Sequence, residues 1–152
     1  MQLSVRALRA DELAWANARY AEIDFLASAP DDYVAVADIA GVPAGLGRVT
    51  RLGGDAGELG GMYVFDGFRA RGVSGAMLAH LLAHAGVARL YCLPFAHLRR
   101  LYEKAGFTLD LGAAAVPDQV RRKHAWCMGH YAEPVLLMYR PLTQPVTATT
   151  TS

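Results

Sequence analysis

The chain has 152 residues, of which 53% are hydrophobic, and its 15 basic and 14 acidic side chains give a formal net charge of +1. This length fits one domain with one hydrophobic core, and the balanced charge excludes a strong field that would attract nucleic acid or an anionic membrane. The two cysteines lie in apolar stretches and no apolar run approaches the roughly 20 residues of a membrane span, so we expect a reduced, cytoplasmic protein without a signal peptide.

The first third of the chain predicts a strand, a helix and a hairpin. A strand is expected over residues 3–8, and Asp11 is placed to cap the helix that follows. Residues 33–39 and 44–52 are strand-like runs rich in valine and alanine, joined by the turn-forming residues 40–43. These patterns predict an antiparallel pair.

A third strand is predicted over residues 58–65, after a glycine-rich loop. It contains Gly60 and Gly61, and glycine weakens a strand unless a bulge or a close backbone approach is required there. The remaining predicted elements follow in chain order: a loop over 66–75, a helix from about Ser74, a strand over 87–93, a helix over 96–105 closed by Gly106, and strands over 107–111 and 131–139 separated by a polar, basic connection. We expect a single domain over residues 1–142 and a disordered tail over 143–152.

The loop before the second helix has the composition of an anion site. The N–H groups of residues 70–75 are free to point at a ligand, because the first N–H groups of a helix have no intrahelical partner. Arg69 and Arg71 add positive charge, while Gly72 and Gly75 lack side chains that would hold a phosphate away. The loop therefore fits either a pyrophosphate site or an ordinary turn with solvated arginines.

Two motifs in this order resemble the GNAT superfamily of N-acetyltransferases. Residues 69–74 read R-A-R-G-V-S, similar to the family's [QR]-x-x-G-x-[GA], with Ser74 at the last small position. Residues 101–107 read L-Y-E-K-A-G-F, similar to the second signature, in which a helix ends in Y-x-x-x-G-F. The resemblance implies an α/β (α+β) fold in which helices flank a mixed, mostly antiparallel sheet with two splayed parallel central strands. It also implies acetyl-CoA as co-substrate and a homodimer.

The resemblance also implies roles for particular residues. The loop Arg69, Ala70, Arg71, Gly72, Val73, Ser74 and Gly75 would hold the pyrophosphate. The strand Met62, Tyr63 and Val64 would pair with the pantetheine arm and stabilise an oxyanion. Tyr102 would protonate the departing thiolate, with a core aromatic as the alternative, and Glu58 would act as base, with a solvated carboxylate as the alternative. Phe95 departs from the family pattern, which often has asparagine at this position.

No metal site is expected. His80 and His84 lie opposite the apolar stripe of their helix and are interpreted as surface residues. His124, Cys127 and His130 would alternate between faces in an extended segment and so not converge on a metal. The basic run 121–123 fits a solvated turn, or contact with a coenzyme phosphate or an acidic partner.

The sequence therefore predicts an acetyl-CoA-dependent N-acetyltransferase that transfers the acetyl group directly to a primary amine of a small molecule or protein. The alternative is a noncatalytic acyl-CoA-binding sensor or regulatory module. Neither nucleic acid nor a membrane is an expected partner.

Overall fold

The computed structural model of the protein describes residues 2–111 and 116–142. The predicted tail, residues 143–152, lies outside the described residues. The strands are β1 (Leu3–Ala7), β2 (Tyr33–Ile39), β3 (Val42–Gly53), β4 (Ala56–Val64), β5 (Arg89–Cys92) and β6 (Met138–Pro141). The α-helices are α1 (Leu13–Ala21), α2 (Val73–His84), α3 (Arg99–Lys104) and α4 (Asp118–His130).

The six strands form one sheet in the order β1-β2-β3-β4-β5-β6. Pairing is antiparallel between β1 and β2, between β2 and β3, and between β5 and β6. The predicted fold class is confirmed, because the sheet is mixed, mostly antiparallel with one parallel pair, and flanked by helices. Among the described residues, no helix combines the length and the hydropathy needed to cross a bilayer.

The described chain divides into two units, the first of which comprises residues 2–50 and 59–85. Over residues 34–37 of β2 and 45–48 of β3, the register places large and small side chains on opposite faces of the sheet. On one face, Val36 pairs with Leu46 and packs in a buried cluster with Tyr20 of α1. On the other face, Ala35 pairs with Gly47, and a Cβ added at Gly47 would lie 2.8 Å from the Met77 side chain of α2. The small residues therefore let α2 approach the sheet closely.

The second unit comprises residues 51–58, 86–111 and 116–142. Its core joins Ala56, Tyr91 and Val120 with partly buried leucines and Tyr139. The rings of Tyr91 in β5 and Tyr139 in β6 lie 5.2 Å apart, and these two residues are partners in the strand register. The core of this unit thus holds α4 against its strands.

Four local predictions were wrong. Asp11 does not cap the first helix. A short 3₁₀ turn, Ala10–Glu12, precedes α1, and the Glu12 carboxylate accepts the Arg9 N–H at 2.9 Å. By contrast, the predicted helix over 96–105 is confirmed, with a 3₁₀ first turn, Ala96–Leu98, followed by α3, and Gly106 after it has φ of +94°.

The predicted strand over 107–111 is reduced to a single antiparallel bridge between Thr108 and Tyr139. The strand over 131–139 begins only at Met138. Between them, the predicted polar connection is the 13-residue helix α4. Its buried residues are Val120 and Cys127, seven positions apart, so the apolar stripe is too narrow for a helical pattern to show in the sequence.

Candidate active site

The anion loop, defined as residues 69–75, leads from β4 into α2 in the first unit. Gly72 is the N-cap of α2, with φ of +79°, and its carbonyl accepts the first helical bond from Ala76 at 3.1 Å. Ala70 also has a positive φ, of +61°, although it carries a side chain. Such a conformation costs alanine about 1–2 kcal/mol, and turns of this kind gather backbone N–H groups into an anion-binding concavity.

The side chains of the anion loop leave its backbone accessible. Arg69 is 74% exposed and lies 3.5 Å from the Asp66 carboxylate, while the Arg71 guanidinium lies 5.9 Å from the centre of the Phe68 ring. A Cβ added at Gly75 would meet no atom within 4 Å. Packing therefore does not require glycine at this position. Close approach of a ligand to the backbone would explain why glycine is present.

Strand β4 is distorted at Gly61, as the glycine pair predicted. Gly61 has φ of +60°, and its carbonyl accepts a hydrogen bond of 2.7 Å from the Tyr20 hydroxyl. The buried Arg48 guanidinium lies 4.6 Å from the centre of the Tyr20 ring and donates to the Leu26 carbonyl and the Ser28 hydroxyl, both at 2.8 Å. Burial raises the pKa of Tyr20, so its hydroxyl remains a neutral donor to the strand.

The residues that follow this distortion are Met62, Tyr63 and Val64, the predicted pantetheine-binding strand. The Tyr63 hydroxyl donates to the Glu22 carboxylate at 3.3 Å. The roles of Tyr20 and Arg48 were not predicted from the sequence. The signal was Arg48 within the apolar residues 42–49 of β3, because a buried guanidinium requires partners.

Tyr102 lies in α3 of the second unit and is 4% exposed. Its ring packs edge-on against Phe107, and no hydrogen bond to its hydroxyl occurs among residues 2–111 and 116–142. Burial raises the pKa of Tyr102, and the nearby Cys92 adds to this effect. The hydroxyl is therefore protonated at neutral pH and available to donate.

Glu58 lies in the same unit and is mostly buried. Its side chain is 12% exposed, and its Oε2 accepts a charge-assisted hydrogen bond of 2.6 Å from Lys123 Nζ of α4. Burial raises the pKa of Cys92 well above its usual value, and the Glu58 charge raises it further, so Cys92 remains a thiol. Glu58, Lys123, Cys92 and Tyr102 all belong to the second unit, where Glu58 and Lys123 are in direct contact, whereas the anion loop and residues 62–64 belong to the first unit.

The histidines have other partners. The Tyr33 hydroxyl lies 2.7 Å from His80 Nε2, and the His80 and His84 rings stack with centroids 4.0 Å apart. His124 hydrogen-bonds the Val135 carbonyl at 2.7 Å, from a helix rather than from the extended segment that was predicted. No group of three or more metal-ligating side chains is found within the described ranges.

Phe95, the departure from the family pattern, belongs to an aromatic cluster in the second unit. Its ring packs edge-on against Tyr131 at 5.0 Å, and its backbone bridges Val135. The neighbouring His97 contacts the Glu133 carboxylate at 2.6 Å through its ring and at 2.9 Å through its backbone N–H. Sequence analysis gave no indication of this His97 contact.

Comparison with solved structures shows the same fold in several acetyltransferases. The N-acetylglutamate synthase of Neisseria gonorrhoeae, complexed with coenzyme A and N-acetyl-glutamate, is 20% identical with a TM-score of 0.62, and the match covers 95% of this chain and 36% of that chain. This chain thus spans about a third of the length of that synthase.

Two other structures match over nearly their whole length. The ribosomal-protein-S18-alanine N-acetyltransferase of Escherichia coli is 16% identical with a TM-score of 0.67, covering 99% of this chain and 100% of that chain. A Mycobacterium tuberculosis protein in complex with CoA and NLQ is 17% identical with a TM-score of 0.70, covering 92% of this chain and 99% of that chain. No curated protein sequence matched.

The sequence also matches the acetyltransferase (GNAT) domain family over residues 30–109, just over half of the chain. That match includes Glu58, the distorted strand β4, the anion loop and Tyr102. The chain therefore belongs to the GNAT acetyltransferase family.

Proposed function

We propose that this protein is an N-acetyltransferase that moves the acetyl group of acetyl-CoA directly to a primary amine. Family membership supports acetyl transfer in general. The observation that carries the assignment to this chain is the backbone of the anion loop, where Ala70 and Gly72 both have positive φ at the start of α2. Similar structures solved with coenzyme A support the same choice of donor.

The anion loop would hold the pyrophosphate of the donor. N–H groups at the start of α2 supply directed hydrogen bonds, and the helix dipole favours negative charge there. Arg69 and Arg71 add charge, and the open space at Gly75 lets a phosphate oxygen approach the main chain. Each of these features contributes to binding an anion, and together they favour a diphosphate over a single carboxylate.

The chemistry would be shared among three groups. An alkylammonium has a pKa near 10.4, so a base is needed to make it nucleophilic at neutral pH, and Glu58 would accept this proton. Backbone N–H groups of residues 62–64, which follow the distortion at Gly61, would stabilise the tetrahedral oxyanion. Tyr102, kept protonated by burial, would donate a proton to the departing thiolate.

Calorimetry and a thiol-release assay test this function. We expect coenzyme A and acetyl-CoA to bind, and acetyl-CoA to release thiol in the presence of a suitable amine. Tyr102→Phe should lower kcat by about 100-fold or more while binding persists, because only the proton donor is lost. Tyr33→Phe is the matched control, since Tyr33 has no proposed role in transfer, and its kcat should be unchanged.

The outcomes separate the candidate functions. Lack of affinity for coenzyme A and its acetyl ester would refute the assignment. Tight binding of acetyl-CoA without thiol release would instead support the noncatalytic module, the alternative that rests on the departures at Phe95 and Ser74. A panel of small amines would miss a protein substrate, so acetylation in a cell extract, detected by mass spectrometry, completes the test.

A further inference from the structure

The chain contains only two lysines, Lys104 and Lys123, and its other 13 basic side chains are arginines. This composition matters for acyl transfer because arginine stays protonated in proteins, whereas the lysine amine becomes a nucleophile when it loses a proton. The chain therefore presents two side-chain amines that can accept an acetyl group once a base has removed a proton.

The two lysines have different surroundings. Lys104 lies at the end of α3 and is exposed. Lys123 lies in α4, is 45% exposed, and places its Nζ 2.6 Å from Oε2 of the mostly buried Glu58. The carboxylate proposed as the catalytic base thus already binds a primary alkylammonium, the chemical group proposed for the acceptor.

The proposed proton donor, Tyr102, lies in the same unit as Lys123 and Glu58. Burial in that unit raises the pKa of Tyr102, so its hydroxyl is protonated at neutral pH. The Lys123 amine and the proton acceptor Glu58 are in direct contact, and the proposed proton donor belongs to the same unit. Reaction at such an amine would benefit from its fixed position, since no separate acceptor has to be bound and oriented.

We propose that this protein acetylates its own Lys123, an inference that rests on the proposed acetyltransferase function. Glu58 takes one proton from the Lys123 ammonium, and the neutral Nζ forms a bond to the carbonyl carbon of the thioester while the carbon–sulfur bond breaks. Tyr102 protonates the departing thiolate and recovers a proton from the new amide nitrogen. Glu58 then passes its proton to water, so the products are Nζ-acetyl-lysine, coenzyme A thiol and one proton.

The test is incubation of the purified full chain with acetyl-CoA, followed by mass spectrometry of the intact protein and its peptides. We expect one acetyl group per chain, on Lys123, at a first-order rate that does not depend on protein concentration because the transfer occurs within one chain. Lys104→Arg should react like the unaltered protein. Lys123→Arg preserves the positive charge facing Glu58 but removes the acceptor amine, so it should remain unacetylated and folded.

Glu58→Gln separates base catalysis from a purely structural ion pair. We expect acetylation of Lys123 to slow by about 100-fold at pH 7 and to recover as the pH approaches the lysine pKa near 10.4, where no base is required. A rate in Glu58→Gln equal to that of the unaltered protein at pH 7 would overturn the proposal.

Other results would also overturn it, and they distinguish it from the proposed function. Equal acetylation of Lys104 and Lys123 would indicate nonspecific chemistry. Thiol release with an external amine while Lys123 remains unmodified would leave the acetyltransferase function standing and refute self-acetylation. Failure of acetyl-CoA to bind in calorimetry would refute both.

Discussion

Replacing Gly61 with alanine tests whether the distortion of β4 is built into the fold. Alanine at φ of +60° costs about 1–2 kcal/mol relative to glycine. The new Cβ would also lie 2.8 Å from the Tyr20 hydroxyl and 2.9 Å from Arg48 Nε, so the 2.7 Å bond between Tyr20 and the Gly61 carbonyl would be lost or lengthened. Because a buried hydrogen bond contributes about 1 kcal/mol, we expect the free energy of unfolding to fall by about 2–4 kcal/mol.

The assay is urea unfolding followed by fluorescence, with two further variants to separate the causes. Gly41→Ala is the control for backbone strain, because Gly41 has φ of +80° but a Cβ there meets no atom within 4 Å. Its free energy of unfolding should fall only by the cost of the positive φ, about 1–2 kcal/mol. Tyr20→Phe removes the hydroxyl that the new Cβ meets, so the double variant should be less destabilised than the sum of the single variants by about 1 kcal/mol. A decrease in the free energy of unfolding below about 0.5 kcal/mol for Gly61→Ala would refute the claim that the fold requires glycine at this position.

Three further predictions concern ligand binding and pH. Gly75→Ala should keep or raise Tm, because alanine favours a helix over glycine by up to about 1 kcal/mol. The same variant should bind coenzyme A about tenfold more weakly in calorimetry. Unchanged affinity would contradict the assignment of the anion loop as the phosphate site. Burial raises the pKa of Tyr102, so its contribution to stability is full below its unfolded pKa near 10 and is lost as the pH rises above that value. Between pH 10 and 12 the free energy of unfolding should therefore fall more steeply in the unaltered protein than in Tyr102→Phe, by up to about 1.4 kcal/mol per pH unit, and equal slopes would argue against this burial. The Arg6 guanidinium lowers the pKa of Glu12 from 4.5 to about 2. The stabilisation from ionised Glu12 is therefore present above pH 4.5 and is lost as the pH falls toward 2. In urea unfolding across this range, the free energy of unfolding should depend less on pH in Glu12→Gln than in the unaltered protein.

The sequence predicted the elements whose signals are local. The hairpin of β2 and β3 was confirmed because alternating apolar runs flank a turn, and Ala40 and Gly41 both adopt the positive φ that such tight turns require. The loop between β4 and α2 was located from its adjacent glycines and arginines, and its binding of an anion stays a prediction. The helix α2 was found because its buried residues recur at helical spacing.

Elements that depend on distant partners were predicted less well. The stretch over 107–111 has strand composition, but only Thr108 pairs, through an isolated bridge to Tyr139 on the edge of β6 that faces away from β5. Helix α4 shows little apolar periodicity and is held by a core that includes Val120. Local composition does not report such tertiary contacts.

Length, charge balance and the order of two short motifs were enough to indicate one fold class and one family, because backbone requirements at turns and helix starts restrict which residues can occupy them. The side-chain partners of Glu58 and Gly61 could not be predicted from the sequence. Lys123 is 65 positions from Glu58, and Tyr20 is 41 positions from Gly61. Contacts between side chains so far apart in the chain arise only when packing of helices on the sheet brings them together, and that packing depends on the whole core.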